Sequence, residues 1–317
     1  MNAMLKYRGG KTREIPYIQW YIPRFSGRYI EPFFGGGALY FHLEPKQAII
    51  NDINSALMCF YRSVRDEFKT LREELDHLER LYKHNRSLFE ALKAEHPDKK
   101  VEDPNEALYY DLRSQFNGLS EKKFSDAALY YYINKTAYSG MIRYNANGQF
   151  NVPYGRYSRL NTQGVTYKHE ALLKRTELYN TDYSLIFDMC KKDDFVFLDP
   201  PYDCTFNDYG NAKYKDGFNE DEHRRLAKDF FDLPCKALMV IGRTPLIDEL
   251  YGEHIMFEYP KNYAVNIRNR FKAEATHAII TNYSEEELDE SKIKDYAFSE
   301  TKQIMLFEKG TRYGKDK

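Results

Sequence analysis

Residues 195–202 read FVFLDPPY and join two kinds of sequence that seldom meet. Residues 195–198 are apolar and β-forming, which is typical of a buried strand in a parallel sheet. A rigid acidic and aromatic tip follows, made of Asp199, Pro200, Pro201 and Tyr202. Ligands of open α/β sheets bind outside the carboxyl ends of the strands, so the tip is expected at a binding site.

The tip offers hydrogen-bond acceptors and an aromatic face. Its prolines fix the backbone and lack N–H groups, and the Asp199 carboxylate only accepts. Such a site suits an amino group on a ring, such as N6 of adenine, with Tyr202 against the ring. An amine held by its N–H bonds would turn its lone pair towards a sulfonium methyl group. A base within a duplex would first have to be flipped out.

A glycine turn in EPFFGGGALYF, residues 31–41, marks a second candidate site. Gly35 and Gly37 stand where a strand gives way to a helix, and glycine there permits positive φ and close approach of a ligand. Asp52 ends the next strand, where a carboxylate can accept from a ribose hydroxyl. Tyr40 stands where the dinucleotide pattern G-x-G-x-x-G has its third glycine, which favours a nucleoside without phosphates. Taken alone, the turn fits a structural bend equally well.

The flanking sequence predicts an α/β fold that is interrupted in the middle. Helix and strand patterns alternate at short intervals before residue 57 and again after residue 170, which favours a parallel sheet. Between them, residues 57–130 are helical in period with charges of both signs, as on solvated helices. The predicted helices are 12–25, 38–45, 219–232 and 244–252, and the predicted strands are 28–33, 47–52, 194–199, 235–242, 255–260 and 276–283.

Residues 131–169 differ from the rest of the chain. They hold five basic residues, seven tyrosines and no acidic residue. The stretch YNANGQFNVPYG, residues 144–155, predicts a β-hairpin with an Asn-Gly turn. Basic groups interleaved with aromatic rings suit a surface that binds phosphates and stacks on bases, although a solvated hairpin is the alternative.

Composition sets the class of protein. The 317 residues carry a net charge of −1, which points globally to neither nucleic acid nor membrane, but 28 Tyr and 21 Phe are a heavy supply of stackable rings. Four cysteines without a C-x-x-C pair argue against a disulfide framework or zinc site and fit a reducing compartment. No apolar run approaches the roughly 18 residues of a membrane helix. We therefore expect a cytoplasmic protein without metal.

Five segments, taken in order, resemble a known family. LKYRGGK at 5–11, EPFFGGGALYF at 31–41, IND at 50–52, NTDY at 180–183 and LDPPYD at 198–203 look like the Dam-type DNA adenine-N6 methyltransferases of the α group, or D12 class. The resemblance extends over residues 5–283. It implies a Rossmann-like S-adenosylmethionine-dependent methyltransferase domain with an inserted, mainly helical target-recognition domain that carries a β-hairpin. The implied division is a catalytic domain at 1–56 and 170–283, target recognition at 57–169 and a C-terminal extension at 284–317.

The resemblance also implies the roles of site residues. Asp199 and the Pro200 carbonyl would hold the flipped adenine, and Tyr202 would stack on it. Asp52 would hold the ribose of the cofactor, while Asp182 would accept from its adenine amine. Lys11 would meet the carboxylate of its methionine end. The implied S-adenosyl-L-methionine site comprises Tyr7, Lys11, Glu31, Phe33, Gly35, Gly37, Asp52, Asp182 and Tyr183.

For DNA, the family pattern implies major-groove contacts to GATC. Lys6 and Arg143 would recognise guanines, and Tyr138 would act near the flipped base. Ser139 departs from the asparagine that close relatives often carry, and Met141 stands where leucine is common. With Met141 and Pro153 as apolar contacts to thymine, the predicted DNA-binding set is Lys6, Tyr138, Ser139, Met141, Arg143, Pro153 and Arg156.

The hypothesis is a site-specific DNA adenine-N6 methyltransferase acting on duplex DNA. We expect a cytoplasmic monomer, associated with the nucleoid through DNA, with a cognate restriction endonuclease as a candidate partner. The alternatives are a cytosine-N4 or RNA amino-methyltransferase, a catalytically idle DNA-binding module of the same fold, and a nicotinamide dehydrogenase. Aspartate at the head of the tip favours adenine over cytosine. Intact Asp199, Lys11 and Asp52 speak against an idle module, and the missing third glycine speaks against a dehydrogenase.

Overall fold

A seven-stranded sheet forms the centre of the protein. The computed structural model describes residues 1–7, 9–203, 218–261 and 275–288. The strands lie in the order β3-β2-β1-β4-β5-β7-β6, with the first five parallel and β7 antiparallel to both of its neighbours. The predicted α/β, Rossmann-like fold is confirmed. The strands are β1 (Tyr29–Glu31), β2 (Ala48–Asn51), β3 (Thr176–Tyr179), β4 (Phe195–Leu198), β5 (Lys236–Gly242), β6 (Ile255–Lys261) and β7 (Ala275–Thr281).

The switch in strand order falls between β1 and β4. In this part of the sheet Tyr29 is aligned with Ala48 of β2 on one side and with Phe195 of β4 on the other. Chain order runs outward in opposite directions from this pair, so the carboxyl ends of β1 and β4 border a crevice. The acidic tip at 199–202 and the glycine turn at 35–37 both leave the sheet at this crevice.

Ten α-helices flank the sheet in the described part of the chain. Several begin at a capping side chain: Asn54 accepts from the Leu57 N–H group and Ser125 from the Ala128 N–H group. The helices are α1 (Ile15–Ile18), α2 (Ala38–Leu43), α3 (Ser55–Asp66), α4 (Phe68–Glu95), α5 (Pro104–Phe116), α6 (Asp126–Thr136), α7 (Tyr167–Leu173), α8 (Tyr183–Phe187), α9 (Glu220–Phe231) and α10 (Pro245–Tyr251).

Two hydrophobic cores lie on opposite faces of the sheet. Neighbouring strand residues point to opposite faces, so Tyr29 and Phe195 join one core and Ile30 and Val196 the other. The first core continues into helices α3 to α6, and the second is closed by α8, α9 and α10. The helical block therefore packs on one face of the sheet, while the domain boundaries at 57 and 169 remain predictions.

Two predicted elements differ from the structure, and one strand of the sheet was not predicted. The helix expected over 12–25 is replaced by α1 between two 3-10 turns, Lys11–Arg13 and Gln19–Tyr21, because Pro23 keeps the preceding Ile22 extended. Helix α6 continues to Thr136, so the first residues of the basic and tyrosine-rich block at 131–169 are helical and mostly buried. The edge strand β3 was not predicted, since the strand is only four residues long and Thr176 alone in it is buried.

The predicted hairpin is present with a different turn. Tyr144 bridges Phe150, and Ala137 bridges Tyr154, within residues 137–157, which we call the hairpin loop. Gly148 donates to the Asn145 carbonyl at 2.9 Å and has a φ of +73°. Glycine is thus the fourth residue of the turn, whereas the predicted Asn-Gly turn has it third. The observed arrangement is that of hairpins closed by a turn followed by a left-handed glycine.

Side chains of the helical block hold the backbone of the hairpin loop. The Tyr109 hydroxyl donates to the Val152 carbonyl at 2.8 Å. Asn117 donates to the Phe150 carbonyl at 3.0 Å and accepts from the Phe150 N–H group at 2.8 Å. Tyr82 donates to the Tyr157 carbonyl at 2.5 Å. These bonds fix the course of the loop over helices α4 and α5.

The described residues form neither a membrane-spanning helix nor a cluster of metal ligands. No helix found there combines the length and apolar character needed to cross a bilayer. Nor do three or more His, Cys, Asp or Glu side chains cluster, within the same residues, as a metal site requires. Of the predicted C-terminal extension, only residues 284–288 fall inside the described part of the chain.

Candidate active site

A cleft opens at the carboxyl ends of β1 and β4. It encloses about 890 Å³, including its mouth, and is lined by the glycine turn, the acidic tip, Tyr7 and residues 9–11 of the N-terminal segment. All four residues of the tip line it. Eight of the nine residues expected to bind the cofactor do so as well: Tyr7, Lys11, Glu31, Phe33, Gly35, Gly37, Asp52 and Tyr183.

The glycine turn is shaped by contacts within the protein. Gly35 and Gly37 have φ values of +49° and +63°, which residues other than glycine rarely adopt. A Cβ atom on Gly35 would lie 2.7 Å from the Tyr7 ring, and one on Gly37 would lie 2.4 Å from the Phe34 ring. These glycines are therefore required by packing of the turn itself as well as by any approach of a ligand.

Asp52 braces the glycine turn from the end of β2. One carboxylate oxygen accepts from the Gly35 N–H group at 2.9 Å and the other from the Asn54 N–H group at 2.8 Å. Burial raises the pKa of Asp52 to about 6, in spite of these two backbone donors. Each oxygen has a second lone pair, so the carboxylate can still accept from a ligand hydroxyl.

Asn51 joins the loops that follow three strands. Its side-chain amide donates to the carbonyls of Pro32, at 2.9 Å, and Thr181, at 3.1 Å. Its amide oxygen accepts from the Thr181 N–H group at 2.9 Å. Asn51 was not among the predicted site residues, although a polar side chain that closes an apolar strand beside Asp52 was an available signal.

Glu31 supplies a second buried carboxylate, at the end of β1. It is 3% exposed and accepts from the Tyr29 hydroxyl at 2.8 Å. Burial raises the pKa of Glu31 well above its usual range, while Asp199 and Asp52 raise it further. Among the described residues that line the cleft, the acidic ones are Glu31, Asp52 and Asp199 and the basic one is Lys11, so acidic side chains outnumber basic ones there. Such a site favours a ligand with positive charge over a pyrophosphate.

Lys11 meets the head of the acidic tip. Its ammonium lies 2.5 Å from Oδ1 of Asp199 and also donates to the Gly9 carbonyl at 3.0 Å. Only 2% of the Lys11 side chain is exposed, and its Nζ lies 5.1 Å from the centre of the Tyr202 ring. Burial raises the pKa of Asp199, and the neighbouring ammonium partly opposes that rise.

Asp182 is the predicted cofactor residue that does not line the cleft. It caps helix α8 by accepting from the Ser184 N–H group at 3.0 Å, and it pairs with Arg225 at 3.2 Å. Although burial alone would raise the pKa of Asp182, these partners lower it. The Arg225 guanidinium also lies 4.7 Å from the ring of Tyr183, which packs against Phe33 on the cleft wall.

Lys6 connects the cleft to the hairpin loop. Its backbone N–H and carbonyl groups pair with the Asn134 side chain at 2.8 and 2.7 Å. Its ammonium donates to the Lys135 carbonyl at 3.0 Å and lies 3.6 Å from the centre of the Tyr157 ring. A Cβ atom on Gly140 would lie 3.1 Å from that of Lys6, so the loop packs on the same segment that contributes Tyr7 to the cleft.

The other residues predicted to bind DNA are on the hairpin loop. Arg143 donates to the Asn151 side chain at 2.8 Å, and Arg156 pairs with Glu106 at 3.2 Å. Ser139 and Arg156 have φ values of +56° and +53°, which are uncommon for residues with a side chain. Met141 is half-buried; Tyr138, Ser139, Arg143, Pro153 and Arg156 are exposed.

Comparison with known proteins decides the family. The model of the D12 class N6 adenine-specific DNA methyltransferases matches residues 7–266. The chain belongs to this family. Its membership confirms the resemblance seen in the sequence, and it assigns the enzyme as an adenine-specific DNA methyltransferase.

Relatives of this D12 class methyltransferase come from a virus, an archaeon and a bacterium. The Type II methyltransferase M.CviBI of Paramecium bursaria Chlorella virus NC1A is 33% identical over 89% of this chain and all of its own length. The Type II methyltransferase M.MjaIII of Methanocaldococcus jannaschii is 34% identical over 80% of this chain and 87% of its own. The DNA adenine methylase of Salmonella typhi is 31% identical over 63% of this chain and 65% of its own.

Proposed function

We propose that this methyltransferase transfers a methyl group from S-adenosylmethionine to N6 of an adenine flipped out of duplex DNA. The position of Asp199 gives the main support for this proposal: the head of the Asp-Pro-Pro-Tyr tip shares one cleft with Glu31 and Asp52. A ligand-binding wall and an acceptor for an exocyclic amine therefore face the same space.

The chemistry of the cleft fits S-adenosylmethionine. Glu31 would pair with the ammonium of the methionine end, Lys11 with its carboxylate and Asp52 with the ribose hydroxyls. The excess of carboxylates favours the additional positive charge of the sulfonium, and Phe33 and Tyr183 supply aromatic rings at the wall. When bound, this cofactor supplies an electrophilic methyl group. Asp182 would serve indirectly, by capping the helix that carries Tyr183.

The acidic tip would hold the target base. Asp199 and the Pro200 carbonyl would accept from the two N6–H bonds, and Tyr202 would stack on the ring, while Pro201 keeps the tip rigid. This geometry aims the N6 lone pair at the methyl carbon, and proximity and orientation of this kind can contribute roughly 7–11 kcal/mol. As the N–C bond forms, the bond between the sulfonium sulfur and the methyl carbon would break and leave a neutral thioether, and the proton lost by N6 would pass to Asp199, whose raised pKa favours its acceptance.

We further propose that the hairpin loop recognises a short site, with GATC as the first to test. Lys6 and Arg143 would contact guanines, while Met141 and Pro153 would contact thymine. Tyr138 is 55% exposed, as a residue that acts beside an extruded base must be. Ser139 would contact the DNA backbone, and Arg156 a phosphate.

The cellular setting belongs to the same proposal. Two of the relatives above carry the name Type II methyltransferase, which supports a role beside a restriction endonuclease acting on the same site. Such an enzyme would act as a monomer in the cytoplasm, on nucleoid DNA.

The test exposes unmethylated plasmid to purified protein and S-adenosylmethionine and maps modified bases by single-molecule sequencing. N6-methyladenine at GATC is the expected result. N6-methyladenine at another motif would refute the proposed target and keep the chemistry, whereas N4-methylcytosine or no mark would refute the proposed reaction. The Asp199→Ala variant is the matched control: it should bind the same DNA and leave no mark.

A further inference from the structure

A buried carboxylate lies behind the acidic tip, outside every motif described above. Glu14, just before α1, is 2% exposed. It accepts from the Tyr259 hydroxyl at 2.6 Å and from Nδ1 of His277 at 2.7 Å, and it pairs with the ammonium of Lys261. Tyr259 and Lys261 belong to β6, and His277 belongs to β7. Glu14 therefore ties the N-terminal segment to the antiparallel edge of the sheet.

The partners of Glu14 determine how His277 is held. Burial alone would raise the pKa of Glu14, but the hydrogen bond from His277 and the charges of Lys11 and Lys261 hold it at about 2. A carboxylate in this state only accepts, so Nδ1 of His277 must carry a proton and donate it. This bond fixes both the tautomer and the orientation of the imidazole ring.

The imidazole ring of His277 packs directly on Tyr202. Their centres lie 5.1 Å apart, and their planes meet at 89°, the perpendicular arrangement that aromatic pairs favour. Gly242, the last residue of β5, approaches the same ring: a Cβ atom there would lie 3.4 Å from Cδ2 of Tyr202. With the Lys11 ammonium 5.1 Å from its centre, the Tyr202 ring is contacted from three elements.

We propose that Glu14 and His277 are positioning residues for methyl transfer. Glu14 orients His277, and the ring of His277 holds Tyr202 in the plane that stacks on the target adenine. The inference rests on the proposed function of Tyr202 and extends it to two residues far from the tip in sequence. Both residues would act through Tyr202 and not through contact with the substrate.

The free-energy cost of burying charged groups favours a positioning role for Glu14 and His277 over simple core packing. A buried charged network is a costly way to fill a core, and apolar residues of similar size are often as stabilising. What the network provides here is orientation, since it fixes one ring against another. If positioning is its role, the rate of transfer should depend on the His277 ring and its orientation, whereas folding stability should depend mainly on the hydrogen bond to Glu14.

Two substitutions separate the ring from the hydrogen bond. His277→Asn keeps an N–H donor for Glu14 and removes the ring, and His277→Phe keeps a ring and removes the donor. We expect His277→Asn to unfold near the wild-type temperature yet to lose about 10²-fold in kcat, as a misplaced reacting group does. We expect His277→Phe to unfold at a lower temperature and to retain the higher kcat of the two. KM values for DNA and cofactor should stay close to wild type in both.

A spectroscopic readout tests stacking directly. With 2-aminopurine at the target position of a duplex, emission of the complex should be brighter in His277→Asn than in wild type, because a misplaced Tyr202 quenches it less. His254→Asn, which removes a histidine ring that packs on Phe231, is the control; neither of these residues lines the cleft, and the variant should change neither kcat nor emission. Tyr259→Phe removes a single donor from Glu14 and serves as the mild variant, with kcat lowered severalfold at unchanged KM.

The outcomes are distinct. A wild-type protein that leaves this adenine unmodified would refute the proposed function itself. If the wild type is active and kcat is higher in His277→Asn than in His277→Phe, then kcat follows stability. That result would reduce the network to a structural role. Unchanged kcat and emission in both His277→Asn and Tyr259→Phe would overturn the inference outright.

Discussion

The ammonium of Lys11 lies 2.5 Å from Oδ1 of Asp199, although 188 positions separate the two residues in the chain. The N-terminal segment thus delivers a buried cation to the head of the acidic tip. That cation opposes the rise in pKa which burial imposes on Asp199. The pair therefore keeps the carboxylate able to accept from an amine in surroundings that would otherwise favour its protonation.

Replacing Lys11 with methionine should move the acidic limb of the pH profile. Without the ammonium, less opposes the rise in pKa that burial imposes on Asp199, so a higher pH is needed to ionise it. Loss of an opposite charge at this distance shifts a carboxyl pKa by roughly 1–3 units. Single-turnover rates at saturating cofactor, measured from pH 5 to 9, should show the limb displaced upwards by that amount. A Lys11→Met profile reduced equally at every pH would contradict this, and Lys174→Met, on the surface of the protein, is the control.

Cofactor affinity should fall in acid through Asp52. Burial raises the pKa of Asp52 to about 6, so the group is a carboxylate above that pH and protonated below it. Since the ionised form is the better acceptor for ribose hydroxyls, affinity should drop by about tenfold between pH 7 and pH 5. Calorimetric titration of S-adenosylmethionine into wild type and Asp52→Asn measures it. The variant should bind more weakly and with a flatter dependence on pH; parallel profiles would assign the titration to another group, such as Glu31.

Arg143 and Arg156 should differ in the kind of DNA contact they make. Arg143→Ala should relax recognition of one guanine at a cost of roughly 1–3 kcal/mol for the cognate site alone. Arg156→Ala should weaken all duplexes alike and reduce the salt dependence of binding, as loss of a phosphate contact does. Competition binding against duplexes substituted at each position separates the two. Uniform weakening by Arg143→Ala would make it a phosphate contact as well.

The glycine turn should tolerate no side chain at Gly35. An alanine there combines a φ of +49° with a Cβ atom 2.7 Å from the Tyr7 ring. Gly118→Ala is a matched control, since its φ of +69° carries the same backbone strain, roughly 1–2 kcal/mol, in open space. Urea denaturation should therefore find Gly35→Ala the less stable of the two, with weaker cofactor binding besides. Equal losses would mean that the Tyr7 ring moves aside freely.

The central site could be predicted because its signals are local. An apolar run that ends in Asp-Pro-Pro-Tyr, or a strand that ends in glycines, identifies its own place in an α/β sheet. Glu14 and His277 carry no such signal, since their partnership joins positions 263 residues apart. Asn51 was missed for a related reason: it acts on the loops that follow neighbouring strands, and those neighbours are known only once the strand order is known.

The block of basic residues and tyrosines was harder to interpret. Tyr131 and Tyr132 contribute to a composition that suggests a base-stacking surface, yet both lie in α6 and are buried. Composition counts rings without saying which way they face. Only the residues after Thr136, beyond the helix, form the exposed hairpin loop.

The hydrogen bonds from Tyr82, Tyr109 and Asn117 to the hairpin loop bear on how the DNA sequence proposed to be recognised by this loop could change through mutation. Because the carbonyls of the loop are held from below by the helical block, its backbone has a shape that does not depend on the bound sequence. Little ordering entropy is then lost on association. Exposed side chains such as those of Arg143 and Tyr138 can be exchanged on this frame without rebuilding it. On the proposed role of the loop, we expect a few such substitutions to change the recognised sequence while the backbone of the loop keeps its course.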